Sequence, residues 1–146
     1  MSRWFETFRG VVHPWMCDQF GHLNVRFYAH VFDDSGFALW PMVGVGRLVF
    51  EREGVHTVVA RTETDFRAEL PPGRFIVVRS RFERIGRKSV SYVQELQDAD
   101  TELVHAQQRV VEVFFDPKVR RGCAMPEAIR QVLERNAGVT ASEGGG

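Results

Sequence analysis

Residues 18–28, with the sequence DQFGHLNVRFY, are those best suited by type and spacing to carry out chemistry. They place one acidic side chain, Asp18, in a polar loop that contains a glycine and leads directly into an aromatic-rich helical pattern. A helix begins with free backbone N–H groups and the positive end of its dipole, so it stabilises negative charge that develops nearby. A carboxylate facing such a helix start, with an acyl group held between them, is suited to hydrolysing an activated acid.

The helix that would position this loop is predicted at residues 24–42. Asn24 is expected to be its N-cap, because an asparagine oxygen accepts hydrogen bonds from the N–H groups of a first turn. Pro41, Gly44 and Gly46 are expected to end it. One face, read from spacings of three and four residues, is predicted to be buried: it consists of Tyr28, Val31, Phe32, Ser35, Leu39 and Met42.

The rest of the chain is predicted to be mainly β-structure. Strands are expected at residues 5–13, 58–66, 75–85, 90–96 and 103–115, with little helix between them. In residues 58–66 the alternation predicts one face with Val58, Ala60, Thr62, Thr64 and Phe66. A short helix is expected at residues 126–135, with Pro126 at a position that helices tolerate.

One long helix followed by several long antiparallel strands predicts an α+β fold in which the sheet curls around the helix. Gly36 costs the helix roughly 1 kcal/mol relative to alanine, so we expect another element to approach closely there. Phe27, Phe37 and Trp40 lie outside the main apolar face, which favours burial by a partner subunit as well as by the sheet. Joining two sheets would also remove exposed edges, so a homodimer or homotetramer is expected.

Length and composition fit one globular domain. The chain has 146 residues, of which 44% are apolar and 26% charged, which is long enough for one core. We predict a single domain at residues 1–136. Residues 137–146 are small, polar and glycine-rich, and are predicted to be a disordered tail.

The same composition argues against several partners. Lys+Arg and Asp+Glu balance at 19 each, so no overall field attracts nucleic acid or an anionic membrane. No apolar run reaches the roughly 20 residues that span a bilayer, and the first residues lack a signal-peptide pattern. Cys17 and Cys123 show neither metal-ligand spacing nor a disulfide framework. We therefore expect a cytoplasmic protein with reduced thiols, without metal or cofactor.

Residues 12–24, VHPWMCDQFGHLN, followed by Tyr28, resemble the signature of hot-dog-fold acyl-CoA thioesterases of the 4-hydroxybenzoyl-CoA thioesterase type. The similarity continues in order along the chain. DFRAELPPG at residues 65–73 resembles the end of the family's second strand, GRKS at residues 86–89 its hairpin, and Pro126, Glu127 and Leu133 its closing helix. The resemblance implies a hot-dog fold, an antiparallel sheet wrapped around one long central helix.

The resemblance also implies an acyl-CoA substrate and assigns roles to residues. Asp18 would act on the thioester, either as a nucleophile that forms an anhydride or as a general base that activates water, and the sequence leaves both routes open. The Val25 N–H would be the oxyanion donor. Residues implied in substrate binding are Gly21, His22, Asn24, Tyr28, Phe66, Arg87 and Lys88. No G-x-S-x-G nucleophile motif is present.

Structural explanations compete with these roles. Asp18 could simply cap a turn, Asn24 could act only as an N-cap, and Tyr28 could be ordinary core. His22 could be satisfied by backbone groups, and Arg87 and Lys88 could belong to a charge-paired surface. Asp33 and Asp34, the carboxylates in the helix, are expected to be solvated.

Two other functional classes remain open from the sequence. Hydratases and dehydratases that share this fold typically carry a His paired with an Asp or Glu on or near the helix. His30 and Asp34 have i,i+4 spacing, but His30 lies on the polar side of the helix. A non-catalytic module that binds acyl thioesters is the third possibility, because one fold hosts several functions.

Overall fold

The computed structural model describes residues 2–139, in which an antiparallel sheet packs against one long helix. The helices are α1 (Val25–Met42), α2 (Arg47–Glu53) and α3 (Glu127–Ala137). The strands are β1 (Phe5–Val11), β2 (His56–Phe66), β3 (Phe75–Ile85), β4 (Ser89–Asp98), β5 (Val104–Asp116) and β6 (Arg121–Gly122). The strand order is β1-β3-β4-β5-β2, with β6 paired to β5. The predicted α+β architecture is confirmed.

Helix α1 begins and packs largely as its sequence predicts. Asn24 is the N-cap, and its side chain accepts a hydrogen bond from the Arg26 N–H at 3.1 Å. The predicted buried face is wrong at its C-terminal end, where Met42 is 47% exposed and Trp40 only 5%. The reason is that Trp40 packs edge-on against Phe50 of α2 as well as the sheet, so α1 is enclosed on two sides. Pro41 lies inside the last turn.

Gly36 lies where strand β4 approaches α1, as predicted. A Cβ atom built at this position would lie 2.6 Å from the Tyr92 hydroxyl oxygen, while its distance to the ring carbon Cζ would be an ordinary 3.6 Å. Tyr92 is fully enclosed. The hydroxyl group alone therefore requires glycine at this position.

We expect Gly36→Ala to destabilise the protein by about 1 kcal/mol. Overpacking costs about 1–3 kcal/mol, and the higher helix propensity of alanine offsets about 1 kcal/mol of that cost. In a Tyr92→Phe background the obstructing oxygen is gone, so the same substitution should be neutral or stabilising. Urea unfolding of the four proteins in this double-mutant cycle measures the difference. An equal effect of Gly36→Ala in both backgrounds would contradict the close approach.

A row of polar side chains crosses the sheet beneath α1 and divides the core into two apolar clusters. It contains one residue from each of the five long strands: Thr7, Ser80, Gln94, Gln108 and Thr64. On β4, for example, Gln94 separates Tyr92 of one cluster from Leu96 of the other. Gln94 also donates to the Phe32 carbonyl at 2.9 Å. The row therefore satisfies its own polar groups and fixes α1 against the sheet.

Strand β2 forms the edge of the sheet, and its predicted alternation is wrong in the first half. The pairing with β5 shifts register between Val59 and Arg61, and a bulge of this kind moves the following side chains to the opposite face. Thr57 contacts the inward-facing Glu112. Thr57 therefore shares the inner face with Thr64 and Phe66, in place of the predicted Val58 and Ala60.

Two helical segments differ from the predicted boundaries. Helix α2 lies in a segment for which the sequence analysis assigns no element, although an Arg47–Glu51 ion pair with i,i+4 spacing and Gly54 as a left-handed C-cap stabilise it. Helix α3 continues through Ala137, which is fully buried. Gly138 is the C-cap of this helix and Val139 packs against the core; residues 140–146, the remainder of the predicted tail, lie outside the described residues. Among the helices of residues 2–139, none is long and apolar enough to cross a membrane.

Candidate active site

The loop that carries Asp18 is a tight turn held against the start of α1. Cys17 pairs with Leu23 as an isolated β-bridge. Inside this bridge, the Asp18 N–H donates to the His22 carbonyl at 3.1 Å and the Gly21 N–H donates to the Asp18 carbonyl at 3.0 Å. Gly21 has a φ of +80°, a conformation that favours glycine. The turn therefore fixes the backbone of Asp18 relative to the helix start.

The two carboxylate oxygens of Asp18 differ in their contacts. Oδ1 accepts the Phe20 N–H at 2.9 Å, so the turn-capping interpretation of Asp18 is confirmed for this oxygen. Among residues 2–139, no group donates a hydrogen bond to Oδ2. The side chain is half-buried. One oxygen thus orients the carboxylate, and the other remains available to a ligand or to water.

The start of α1 leaves one N–H group without an acceptor. The Arg26 N–H is bound by the Asn24 side chain, and the N–H groups of Phe27 and Tyr28 approach the Asn24 carbonyl. Within the described chain, the Val25 N–H donates to no acceptor, and the Val25 residue is 63% exposed. A free donor therefore lies at the positive end of the helix dipole.

His22 is directed away from Asp18. Its Nε2 lies 3.1 Å from a carboxylate oxygen of Glu69, in the segment that follows β2. The sequence analysis, which offers substrate binding or backbone groups for His22, does not predict this partner. This contact links the loop of Asp18 to the end of β2, although it is largely exposed and so contributes little to stability.

Tyr28 and Phe66 form one wall beside the loop. Their rings meet edge to face, with centroids 5.1 Å apart. Tyr28 is 4% exposed, whereas Phe66 is 52% exposed. Burial, followed by the charges of Glu69 and Cys17, raises the pKa of Tyr28 to about 12. Tyr28 therefore stays neutral near pH 7 and keeps a hydroxyl proton to donate.

The two tyrosines of this chain should titrate only at strongly alkaline pH. Burial, followed by the charge of Glu112, also raises the pKa of Tyr92. The stability that the neutral hydroxyls contribute is complete below the unfolded pKa of about 10, and for Tyr28 it is lost as the pH rises towards about 12. Absorbance at the tyrosinate band should thus stay flat in the native protein at pH 10–11 and rise in urea-unfolded protein. Tyrosinate formation near pH 10 in folded protein would refute the burial.

Exposed apolar side chains surround the loop. Phe20 is 75% exposed and Trp15 is 67% exposed. Trp15 stacks on His13 and meets Phe27 edge-on at 5.4 Å. A group of exposed aromatics beside an available carboxylate is typical of a surface that a ligand or another subunit covers.

The structure does not bring Arg87 and Lys88 near Asp18 within one chain. Val11, which precedes the active-site loop, pairs with Phe75 at the start of β3, whereas Arg87 and Lys88 follow the other end of that strand. The ten steps along β3 correspond to about 33 Å. Any contact of these two cations with a ligand at Asp18 would therefore have to come from another copy of the chain.

The other predicted acids lie outside this site. Asp33 and Asp34 are exposed, as predicted, and Asp34 pairs with His30 at 3.5 Å. Glu63 pairs with Arg61. The sequence analysis did not identify Glu69 as a partner of the Asp18 loop. The signal in the sequence was a carboxylate that directly follows the end of a predicted strand. Within residues 2–139, no three His, Cys, Asp or Glu side chains converge as metal ligands would.

The sheet around α1 and the carboxylate loop before it define a hot-dog-fold protein, as the sequence predicts. A family model described as the thioesterase-like superfamily matches residues 12–133, and the chain belongs to this superfamily. A search of curated proteins gave no match.

Solved structures with the same fold share little sequence. A Staphylococcus aureus protein in complex with CoA is 18% identical with a TM-score of 0.82, over 98% of this chain and 92% of that chain. The probable thioesterase YbaW from Escherichia coli is 17% identical with a TM-score of 0.78, over 91% and 99%. A 1,4-dihydroxy-2-naphthoyl-CoA thioesterase from Synechocystis is 12% identical with a TM-score of 0.75, over 88% and 94%. These likenesses concern the fold.

Proposed function

We propose that this protein is an acyl-CoA thioesterase in which Asp18 attacks the thioester or activates a water molecule. The observation that carries the proposal is a turn, closed by the Cys17–Leu23 bridge, that holds the unused Asp18 Oδ2 atom just before the free Val25 N–H in the chain. A carbonyl whose oxygen accepts the Val25 N–H would gain stabilisation as negative charge develops on it. Family membership and the CoA complex of the Staphylococcus aureus relative support a CoA thioester as the substrate.

The surrounding residues have supporting roles in this proposal. Asn24 shapes the helix start by capping it, and Gly21 lets the loop turn tightly. Tyr28 and Phe66 form the apolar wall against which an acyl group would lie. The contact between His22 and Glu69 connects the loop to the end of β2. We therefore propose that His22 positions the loop that carries Asp18.

A panel of short, medium, branched and aromatic acyl-CoAs tests this function. Release of free CoA thiol, followed with a thiol reagent, should occur with at least one member of the panel. Tight binding without thiol release would instead indicate a binding module, and gain or loss of an acyl double bond would indicate a hydratase or dehydratase. The His30–Asp34 pair is largely exposed, which gives the latter chemistry no enclosed site.

We also propose that the chain forms a homodimer or homotetramer through edge strand β2. Val58 and Val59 are 37% and 51% exposed on this strand, and an unpaired apolar edge favours pairing with another chain. Sedimentation equilibrium should therefore give two or four times the 16.7 kDa chain mass. Val59→Lys should shift the distribution towards monomer, and a wild-type protein that sediments as a monomer would contradict the proposal.

A further inference from the structure

A second concave site lies at the other end of α1. It is a cavity of about 840 Å³ between the C-terminal half of α1, helix α2 and the start of β2. Asp33 and Gly36 on its wall lie eight and eleven residues beyond Val25, or about 12 and 16 Å along the helix. Within one chain, this cavity is therefore separate from the free N–H group of the candidate active site.

The base of the cavity holds a buried carboxylate. Glu112 on β5 is 6% exposed. Its Oε2 accepts the Trp40 Nε1–H at 3.2 Å, and its Oε1 accepts the Thr57 hydroxyl at 2.7 Å. Both partners are neutral.

No cation of the described chain forms an ion pair with Glu112. A buried carboxylate that is hydrogen-bonded only by neutral groups remains costly in free energy, and a positive ligand would reduce that cost. A carboxylate accepts about four hydrogen bonds. Because Glu112 has two hydrogen-bond partners, it can accept about two more hydrogen bonds.

The rest of the lining reinforces the negative charge. It contains three carboxylates, Asp33, Glu51 and Glu112, against one arginine, Arg47, which pairs with Glu51. Asp33 forms no ion pair within residues 2–139. His56 also lies on the wall, where its ring is tilted against Phe115. The cavity thus has a negative charge that no ion pair of residues 2–139 fully neutralises.

Trp40, whose ring N–H is bound by Glu112, offers little open face to a cation, because it is 5% exposed and is contacted edge to face by Phe50, Phe82 and Phe114. Phe37, also on the wall, is 75% exposed. At Glu112 the attraction therefore comes mainly from the carboxylate, which favours a cation that donates hydrogen bonds over one that cannot. A primary ammonium group has three such donors.

We propose that this cavity binds a primary ammonium group on a short alkyl chain, with Glu112 and Asp33 as hydrogen-bond acceptors. Only one consequence rests on the proposed thioesterase function, namely that the ammonium group would be the far end of the acyl group. The binding itself can be measured without a thioester, so failure of either proposal can be told from failure of the other.

The test compares three small probes by titration calorimetry on the full chain at pH 7. n-Butylammonium should bind at least about tenfold more tightly than its neutral analogue 1-butanol, and more tightly than tetramethylammonium, which cannot donate hydrogen bonds. It should also shift the Trp40 indole N–H signal, assigned with Trp40→Phe. Equal binding of butylammonium and butanol, or no binding of butylammonium, would overturn the site. Equal binding of tetramethylammonium would overturn the assignment to a primary ammonium.

Variants locate the site. Glu112→Gln and Asp33→Asn should each weaken butylammonium binding at least about fivefold and leave butanol unchanged. Asp34→Asn is the matched control, because Asp34 neighbours Asp33 but pairs with His30, and it should bind like wild type. Asp33 is exposed, so its variant is expected to fold even if Glu112→Gln does not. Unchanged binding in Asp33→Asn would overturn the proposal.

Discussion

Asp18→Asn is expected to lower kcat for thioester hydrolysis by about a thousandfold, within the range known for loss of a catalytic acid or base. The amide removes the negative charge that attacks the carbonyl or deprotonates water. Its Oδ1 can still accept the Phe20 N–H, which in the native protein is bound at 2.9 Å. The loop should therefore keep its shape, and the loss should reflect chemistry alone.

The measurement is thiol release with the best acyl-CoA of the panel, together with urea unfolding of each protein. Asp34→Asn is again a suitable control, because it changes the same functional group on the exposed side of α1. It should retain activity within roughly twofold, since exposed ion pairs contribute little. If Asp18→Asn retained activity within a few-fold of wild type, the assignment of Asp18 would fail.

Val25→Pro is expected to lower kcat by about 10²–10³-fold, because it deletes the one free N–H at the helix start. Proline is tolerated as the first residue of a helix. The preceding residue must be extended, and Asn24 already has φ −75° and ψ 146°. The substitution thus removes the proposed oxyanion donor while the helix remains intact.

The readouts separate this role from a structural one. kcat should fall with little change in KM, because the donor acts mainly in the transition state. Helical circular dichroism and the unfolding midpoint should match wild type. Val25→Ala, which keeps the N–H and loses only an exposed side chain, should remain active. Equal activity of the proline and alanine variants would show that another group stabilises the oxyanion.

The sequence by itself determined the long helix, the five long strands, the closing helix and their order along the chain. The position of α1 follows from a local apolar period and from Asn24 as its cap. The close approach of another element at Gly36 was also predictable. Glycine lowers helix stability, so a glycine inside a helix is expected where it allows close packing. The strands were predictable from β-branched and aromatic runs separated by turns. These features depend on residues that are near one another in the chain.

Only the tertiary structure decided which distant side chains meet. The His22–Glu69 pair joins residues that are far apart in sequence, and the bulge in β2 set which of its residues face inward. The buried position of Glu112 depends on the register between β5 and β2 and on the packing of Trp40. Strand pairing across a sheet fixes such contacts, and a local pattern carries no information about the residue that lies opposite.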